Sequence, residues 1–155
     1  GTGHGLAWAR YKNTGAWCAV IARVRVDEQV RVLNLDLAVD VGMVVDLDGV
    51  VNQIEGGAVQ SVSWTTKEQV TFDREAITSN EWLTYPVLRF SEVPEVRVHV
   101  IDRPEEPPVG AGEAAQGPVA AALANAVFDA FGVRVRELPL TADTLLRAVH
   151  AAEAA

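Results

Sequence analysis

The sequence predicts an α+β fold in which a mixed or antiparallel sheet packs against a few helices. Two stretches alternate apolar and polar residues with the period of a strand, whereas residues 48–67 repeat apolar residues every three to four positions, as a helix does. The chain has 155 residues, of which 49% are hydrophobic and 22% are charged. That length and composition suit one globular domain, and no linker or internal repeat divides residues 1–155.

The first predicted elements form a hairpin, in which residues 16–26 and 30–41 are strands joined by a short polar turn. Gly42 ends the second strand. Residues 95–101, with the sequence EVRVHVI, alternate cleanly and predict a half-buried strand. Shorter strands are predicted at three further places, residues 70–72, 76–78 and 133–138.

Three helices are predicted. Residues 48–67 have the amphipathic spacing, and Asp46 or Asp48 would cap the first helix. The pair Gly56-Gly57 inside it costs about 1 kcal/mol each relative to alanine. We interpret this pair as a close approach to a neighbouring element, with a ligand as the alternative.

The other two helices follow later in the chain. Residues 119–131 form a helix with Pro118 in its first turn and Gly132 as its stop. Alanine dominates its faces, which predicts burial or packing against another subunit. Thr141 caps the last helix.

Composition excludes several classes of function. The net charge of −8, without a Lys/Arg cluster, argues against a nucleic-acid partner. Because Cys18 is the only cysteine, the chain has neither an intrachain disulfide nor a cysteine-ligated zinc or iron–sulfur site. Cys18 is expected to be buried. We predict no metal ligands in this chain. No apolar run has the length of a membrane span. The tryptophans are expected to be core or interface aromatics: Trp8, Trp17, Trp64 and Trp82.

One segment, residues 109–139, points to chemistry. A turn with Gly110 and Gly112 ends in a single carboxylate, Glu113, and an alanine-rich helix follows. Glycines let a backbone approach a ligand closely, and the start of a helix supplies free N–H groups. From the residues alone, Glu113 is either a general base or an ordinary exposed loop carboxylate.

Four segments in order resemble the molybdenum-binding large subunit of the xanthine dehydrogenase/aldehyde oxidase family, and within it the isoquinoline 1-oxidoreductase type. They cover nearly the whole chain: Ala38-Val39-Asp40-Val41-Gly42; Asn52-Gln53-Ile54-Glu55-Gly56-Gly57; Ser79-Asn80 with Tyr85-Pro86-Val87-Leu88-Arg89; and Gly110-Ala111-Gly112-Glu113 with the Ala-Asn-Ala helix and Arg134-Val135-Arg136-Glu137-Leu138-Pro139. The resemblance places residues 1–155 as one domain in the C-terminal portion of such a subunit, part of a larger molybdopterin-binding domain.

The resemblance implies specific roles for three residues. Glu113 matches the catalytic base of an oxidation of an aldehyde or N-heterocycle with water-derived oxygen, in which it takes the proton from a molybdenum-bound hydroxyl. Gln53 matches a glutamine that hydrogen-bonds the pterin, and Gly112 matches a backbone position next to the cofactor. The implied cofactor is a molybdenum-pterin group, with a cytosine dinucleotide form as one version, shared with a partner chain.

The resemblance also implies partners, because a complete subunit of this family is several times longer than this chain. We expect a larger molybdenum-binding polypeptide, an iron–sulfur subunit that carries the clusters, and a small-molecule substrate. The first residue is Gly1 and not a methionine, which suggests that residues upstream of it have been removed. The cause would be processing, the choice of the expressed segment, or a cut within a longer polypeptide. The expected compartment is the cytoplasm, with the periplasm as the alternative, because some relatives of the isoquinoline type are exported.

Two other functions remain open at this point. One is a non-catalytic assembly or interaction module that retains the fold, which the carboxylate of Glu113 argues against. The other is an accessory protein that delivers the cofactor, which no feature of the sequence supports.

Overall fold

The computed structural model describes residues 1–154 and contains a four-stranded mixed sheet with three α-helices, which confirms the α+β prediction. The strands are β1 (Thr2–Arg10), β2 (Trp17–Val26), β3 (Val30–Asp40) and β4 (Glu95–Ile101), and the helices are α1 (Leu47–Thr66), α2 (Gln116–Phe131) and α3 (Ala142–Glu153). Short 3-10 turns lie at Tyr11–Asn13 and Phe90–Glu92.

The sheet has the order β1-β2-β3-β4. The pairs β1–β2 and β2–β3 are antiparallel, so the predicted hairpin is confirmed, whereas β3 and β4 are parallel. A parallel pair needs a crossover connection, and here α1 lies in it. Alternate side chains of β2 and β3 point to one face and form the core with α1 and α2; among them Val20, Val24, Leu35, Leu37 and Val39 have no exposed surface.

Strand β1 is absent from the sequence prediction, and its glycines explain why. The inward positions of β1 are Gly3 and Gly5, because α2 lies directly against the strand. A Cβ atom on Gly5 would come within 2.1 Å of the carbonyl oxygen of Ala122, and one on Gly3 within 2.3 Å of that of Ala126. The side with large apolar residues is therefore the exposed side, which is the reverse of the usual strand pattern.

The predicted strand at residues 133–138 is wrong. The segment is irregular, and its main contribution to the core is the buried side chain of Val135. The guanidinium of Arg134 donates to the side-chain oxygen of Asn125 at 2.7 Å, and beyond the segment the backbone N–H of Leu140 donates to the carbonyl of Thr65 at 2.7 Å. A strand needs a sheet edge to pair with, and this segment lies against helices instead.

The two predicted short strands at residues 70–72 and 76–78 are reduced to one isolated antiparallel bridge between Phe72 and Ile77. The whole irregular segment from residue 70 to 93 carries large apolar side chains that are exposed. Phe90 is fully exposed, and Trp82 and Leu83 are each more than 80% exposed.

The three helices confirm their predictions, with small shifts of their ends. Of the two candidate caps of α1, the structure uses Asp46, whose side chain accepts from the backbone N–H of Gly49 at 3.1 Å. Gly132 ends α2 in the left-handed conformation, with a φ of 79°. Thr141 caps α3. Within residues 1–154, none of the helices is long and apolar enough to cross a bilayer.

For the tryptophans the core alternative is wrong, and the interface alternative stays a prediction. None of the four belongs to the buried core of residues 1–154; Trp8 is 65% exposed and Trp17 39% exposed. The rings of Trp8 and Trp17 lie 5.3 Å apart on the outer face of the sheet. No helix of residues 1–154 covers this face. Leu6, Ile21 and Ile101 are exposed on the same face.

Candidate active site

The glycine turn that carries Glu113 is tied to the end of β3. The backbone N–H of Val109 donates to the carbonyl of Val41 at 2.9 Å, and the N–H of Met43 donates to the carbonyl of Glu106 at 3.0 Å. The turn then enters α2, whose N-cap residue is Ala115. Alanine has no side-chain acceptor, so the first turn of α2 is without a side-chain cap from within residues 1–154.

Gln53 and Gly112 are brought together although 59 residues separate them. The side-chain amide of Gln53, on α1, donates to the carbonyl oxygen of Gly112 at 3.0 Å. Both residues are exposed and lie on the wall of a surface depression of about 360 Å³ between the start of α1 and the glycine turn. The side-chain oxygen of Gln53 has no hydrogen bond from any of residues 1–154 and is free to accept one.

Glu113 lies beside this pair, on the wall of a second depression of about 360 Å³ that shares Val109 and Gly112 with the first. Its side chain is exposed in this chain. The hydroxyl of Tyr11 donates a hydrogen bond to Oε2 of Glu113. The two depressions therefore form one continuous surface in which the three predicted site residues are neighbours.

Tyr11 is a residue of this surface that the sequence pattern did not predict. It lies in the turn between β1 and β2, and the turn could not be recognised because β1 was not predicted. The run Asn13-Thr14-Gly15 has the composition of a turn. This run, which directly follows Tyr11 and Lys12, is the one feature of the sequence that could have indicated the turn.

An ion pair and a backbone hydrogen bond hold the loop that leads to the glycine turn. The carboxylate of Asp40 accepts from the backbone N–H of Gly42 at 2.9 Å and from the guanidinium of Arg103 at 3.0 Å. The hydrogen bond from Gly42, with the neighbouring Arg103, holds the pKa of Asp40 below its usual range. Arg103 also pairs with Glu106 at 2.8 Å, so this loop is fixed to the end of the sheet.

The exposed face of α1 continues the site towards α2. Gln53, Gly56 and Gln60 lie on one side of α1, because residues three or four positions apart share a helix face. The side chain of Gln116 donates to that of Gln60 at 2.8 Å, and the hydroxyl of Ser61 donates to the carbonyl of Gln116 at 2.8 Å. These bonds join the start of α2 to α1 beside the glycine turn.

The glycines of this face separate into two kinds. A Cβ atom on Gly57 would make ordinary contacts, at 3.7 Å, with the side chains of Ala115 and Gln116. These distances leave room for a Cβ atom, so packing within residues 1–154 does not require glycine at Gly57, and the predicted close approach is not confirmed there. Cβ atoms on Gly56, Gly110 and Gly112 would meet no atom of this chain within 4 Å. At these three positions, packing within residues 1–154 does not require glycine.

Cys18 takes no part in the site. It is buried under the sheet, as expected, and burial raises the pKa of its thiol to about 11, so that it stays protonated and unreactive near neutral pH. In the described part of the chain, no group of three His, Cys, Asp or Glu side chains is arranged to hold a metal ion.

A family model identifies the class of protein to which this chain belongs. Residues 4–94 match the family model of the molybdopterin cofactor-binding domain, and the chain belongs to that family. Gln53 lies inside the matched segment, whereas Gly112 and Glu113 follow it. The predicted resemblance to the xanthine dehydrogenase family is supported at this level.

Two curated relatives and one solved structure agree with this assignment. The chain is 44% identical over 156 residues to a subunit of nicotinate dehydrogenase from Pseudomonas putida, covering 95% of this chain and 13% of the relative. It is 31% identical over 139 residues to the beta subunit of isoquinoline 1-oxidoreductase from Brevundimonas diminuta, covering 88% of this chain and 17% of the relative. Quinoline 2-oxidoreductase from Pseudomonas putida 86 superposes with a TM-score of 0.80 at 26% identity, over 87% of this chain and 19% of that one. The chain thus spans less than a fifth of each of these proteins.

The site residues fit a pterin group. An amide such as that of Gln53 offers both donors and an acceptor, which matches the edge of a pterin ring. The backbone at Gly110 and Gly112 is open on the side where a Cβ atom would stand, so a flat group can approach it closely. Gln53 and Gly112 are the residues that would hold such a group, and Glu113 would lie next to it.

Proposed function

We propose that this chain is part of a molybdenum hydroxylase that oxidises an aldehyde or an N-heterocycle, and that it contributes Glu113 as the general base and Gln53 and Gly112 to the pterin site. The observation that carries the proposal is the hydrogen bond between Gln53 and Gly112 directly beside Glu113. Two distant parts of the sequence, Gln53 and the consecutive pair Gly112-Glu113, meet on one open surface, and the family resemblance implies a role for each of the three residues.

Each residue has a defined task in this proposal. When bound, the molybdenum-pterin group supplies the oxygen donor and the electron acceptor of the oxidation. Gln53 orients the pterin through its free carbonyl oxygen and anchors the turn through its N–H group. Gly112 lets the group approach the backbone. Glu113 accepts a proton from the attacking oxygen, which requires its carboxylate to lie within hydrogen-bond reach of that proton.

The site is composite in this proposal, because the surface is open and this chain offers few groups around it. Both depressions open widely to the exterior, and the three site residues lie on one side of them. The remaining walls, most of the pterin contacts and the substrate pocket belong to a larger molybdenum-binding polypeptide, and iron–sulfur clusters belong to another subunit. Two relatives support this arrangement, since their names describe them as subunits.

The distribution of exposed apolar side chains supports a partner as well. Contiguous exposed apolar surface on a protein usually marks a contact with another polypeptide. Such surface is present on the outer face of the sheet, around Trp8 and Ile101, and at Trp82, Leu83 and Phe90. We assign both regions to contacts with the rest of the molybdenum-binding polypeptide.

A fractionation experiment tests the proposal. An antibody raised against residues 1–155 is used to follow the chain through native size-exclusion chromatography of a cell extract, and molybdenum is measured in each fraction. We expect the chain to elute far above its own mass of 16.6 kDa, together with molybdenum. A free monomer without molybdenum would contradict the proposal and favour a module without catalytic function.

A further inference from the structure

The turn that carries Tyr11 has an uncommon backbone. Lys12 and Asn13 both have positive φ values, 47° and 61°. This left-handed conformation is disfavoured for residues with a side chain and persists where the surrounding structure enforces it. Lys12 and Asn13 are consecutive and neither is a glycine, which indicates that the surrounding structure fixes the conformation of this turn.

The hydrogen bonds of the turn converge on the backbone of Tyr11. Its N–H donates to the carbonyl of Ala16 at 2.9 Å, and its carbonyl accepts from the N–H groups of Gly15 at 2.8 Å and Thr14 at 3.2 Å. The guanidinium of Arg10 donates to the carbonyl of Gly15 at 3.2 Å. The position of Tyr11 at the end of β1 is therefore determined by several independent bonds.

The ring of Tyr11 is also held by its neighbours. A Cβ atom on Gly15 would lie 3.3 Å from Cδ1 of the ring and 3.1 Å from the carbonyl oxygen of Tyr11, so the ring packs closely against the backbone of Gly15. The ammonium group of Lys12 lies 5.1 Å from the ring centroid, on its face. The ring is half-buried, and its hydroxyl reaches the carboxylate of Glu113.

We propose that Tyr11 is a positioning residue for Glu113, whose carboxylate it orients by donating a hydrogen bond to Oε2. This inference rests on the function proposed above, because it gives the base a partner. A phenol hydroxyl can donate and a carboxylate accepts, so the hydroxyl of Tyr11 is the donor of this bond.

The hydrogen bond distinguishes the two oxygens of the carboxylate. Because the hydroxyl of Tyr11 occupies Oε2, the other oxygen, Oε1, is left to accept a proton. A carboxylate on an exposed loop would otherwise rotate among several positions, and a base is effective only when its oxygen stays within reach of the proton. The turn at Tyr11 removes this freedom.

The chain contains a matched control. The hydroxyl of Tyr85, the only other tyrosine, donates to Oε2 of Glu68 at 2.9 Å, and that carboxylate raises the pKa of Tyr85. Tyr85 does not line either depression of the candidate site. Tyr85→Phe therefore removes the same kind of hydrogen bond elsewhere in the fold.

The experiment compares Tyr11→Phe, Tyr85→Phe and Glu113→Gln in the assembled enzyme with its molybdenum. We expect Tyr11→Phe to lower kcat roughly 10-fold, as for the loss of one hydrogen bond to a charged group, with KM nearly unchanged. Tyr85→Phe should match the wild type in both respects.

A second readout does not depend on turnover. Carbodiimide reagents modify accessible carboxyl groups, and peptide mass spectrometry gives the labelling rate of Glu113 at one fixed pH. In Tyr11→Phe, labelling of Glu113 should be faster than in the wild type, because Oε2 has lost its hydrogen-bond partner, whereas Tyr85→Phe should leave the rate unchanged.

The outcomes separate this inference from the proposed function. If Glu113→Gln is inactive but Tyr11→Phe keeps the wild-type kcat and the wild-type labelling rate of Glu113, the role of Tyr11 is refuted and that of Glu113 stands. Loss of molybdenum from Tyr11→Phe would also refute it, because the hydroxyl would then serve assembly. Near-normal turnover of Glu113→Gln would refute the proposed function itself.

Discussion

The side-chain amide of Gln53 donates to the carbonyl oxygen of Gly112 at 3.0 Å, and this bond joins the middle of α1 to the turn that carries Glu113. It fixes the distance between the helix and the turn, because α1 is itself held in the core by Ile54 and Ala58, neither of which has exposed surface. The position of the carboxylate thus depends on one amide that projects from a rigid helix.

Replacement of Gln53 should therefore affect the cofactor more than the fold. In Gln53→Ala we expect the free energy of unfolding to fall by about 1 kcal/mol or less, since the lost bond is exposed. Molybdenum content should fall several-fold, because the turn loosens and the pterin loses a partner. Metal analysis of the purified enzyme and urea denaturation measure the two effects.

Asn52→Ala is the control for this replacement. Asn52 is an exposed amide on the same turn of α1, and its side chain has no hydrogen bond within the part of the chain that the structure describes. Equal loss of molybdenum in both variants would contradict the specific role of Gln53.

Gly56 should show opposite effects on stability and on the cofactor. A Cβ atom there meets no atom of this chain within 4 Å, and alanine favours a helix over glycine by about 1 kcal/mol. We expect Gly56→Ala to raise the midpoint of urea denaturation slightly and to lower molybdenum content, if the pterin lies along this face. Unchanged molybdenum content would place the cofactor elsewhere.

Gly5→Ala provides the contrast, because its cost arises inside the fold. The new Cβ atom would lie 2.1 Å from the carbonyl oxygen of Ala122 and 2.3 Å from the backbone nitrogen of Ala126. The backbone of α2 cannot shift without a large cost in free energy, so β1 and α2 must separate. We expect a loss of about 3 kcal/mol or more in the free energy of unfolding. A mild effect in urea denaturation would contradict the close packing of β1 on α2.

The pH dependence of stability should include a contribution from Asp40. Its folded-state pKa is lowered, first by the hydrogen bond from Gly42 and then by Arg103, and its side chain is 16% exposed. Because the folded value lies below the unfolded value of about 3.9, the stabilisation is present above about pH 4 and is lost as the pH falls through the folded pKa.

Asp40→Asn tests this contribution. The amide oxygen still accepts from the N–H of Gly42, but the charge opposite Arg103 is gone. The variant should be less stable than the wild type at neutral pH, and the difference should shrink below about pH 4 in urea denaturation measured over a pH series. A difference that is independent of pH would show that Asp40 acts only by packing.

The outer face of the sheet should contribute to assembly. Trp8 is 65% exposed and contacts Trp17, whereas His4 lies at the polar end of the same strand face. Trp8→Ala should lower the midpoint of thermal unfolding of the assembled enzyme by several degrees, as expected for a buried interface aromatic, with little effect on the isolated chain. His4→Ala should change neither midpoint, and an equal effect of both variants would contradict an interface at Trp8.

The sequence predicted those elements whose burial follows their local pattern. Strands β2, β3 and β4 and all three helices have a core-facing side of large apolar residues, so their period is visible. Strand β1 was not predicted because Gly3 and Gly5 face the core and Leu6 faces outward. The strand predicted at residues 133–138 is wrong for a different reason, since alternation indicates burial of every second residue but not the presence of a neighbouring strand.

The candidate site was predictable to a lesser degree. Gln53, Gly112 and Glu113 came from the family resemblance, and no spacing in the sequence indicates that α1 and the glycine turn would meet. Tyr11 could not be found, because its reach to Glu113 depends on the antiparallel pairing of β1 with β2. Contacts between residues so far apart in the sequence follow from topology and not from local pattern.

The most direct test of the central claim is the rate at which substrate reduces the Glu113→Gln enzyme, followed by absorbance in anaerobic stopped-flow experiments. This half-reaction isolates the step in which the base acts. We predict a rate about 10²–10⁴-fold below that of the wild type, with unchanged molybdenum content, and a wild-type rate for Glu105→Gln, an exposed acid in the preceding loop. A near-normal rate in Glu113→Gln would contradict the assignment of Glu113 as the base.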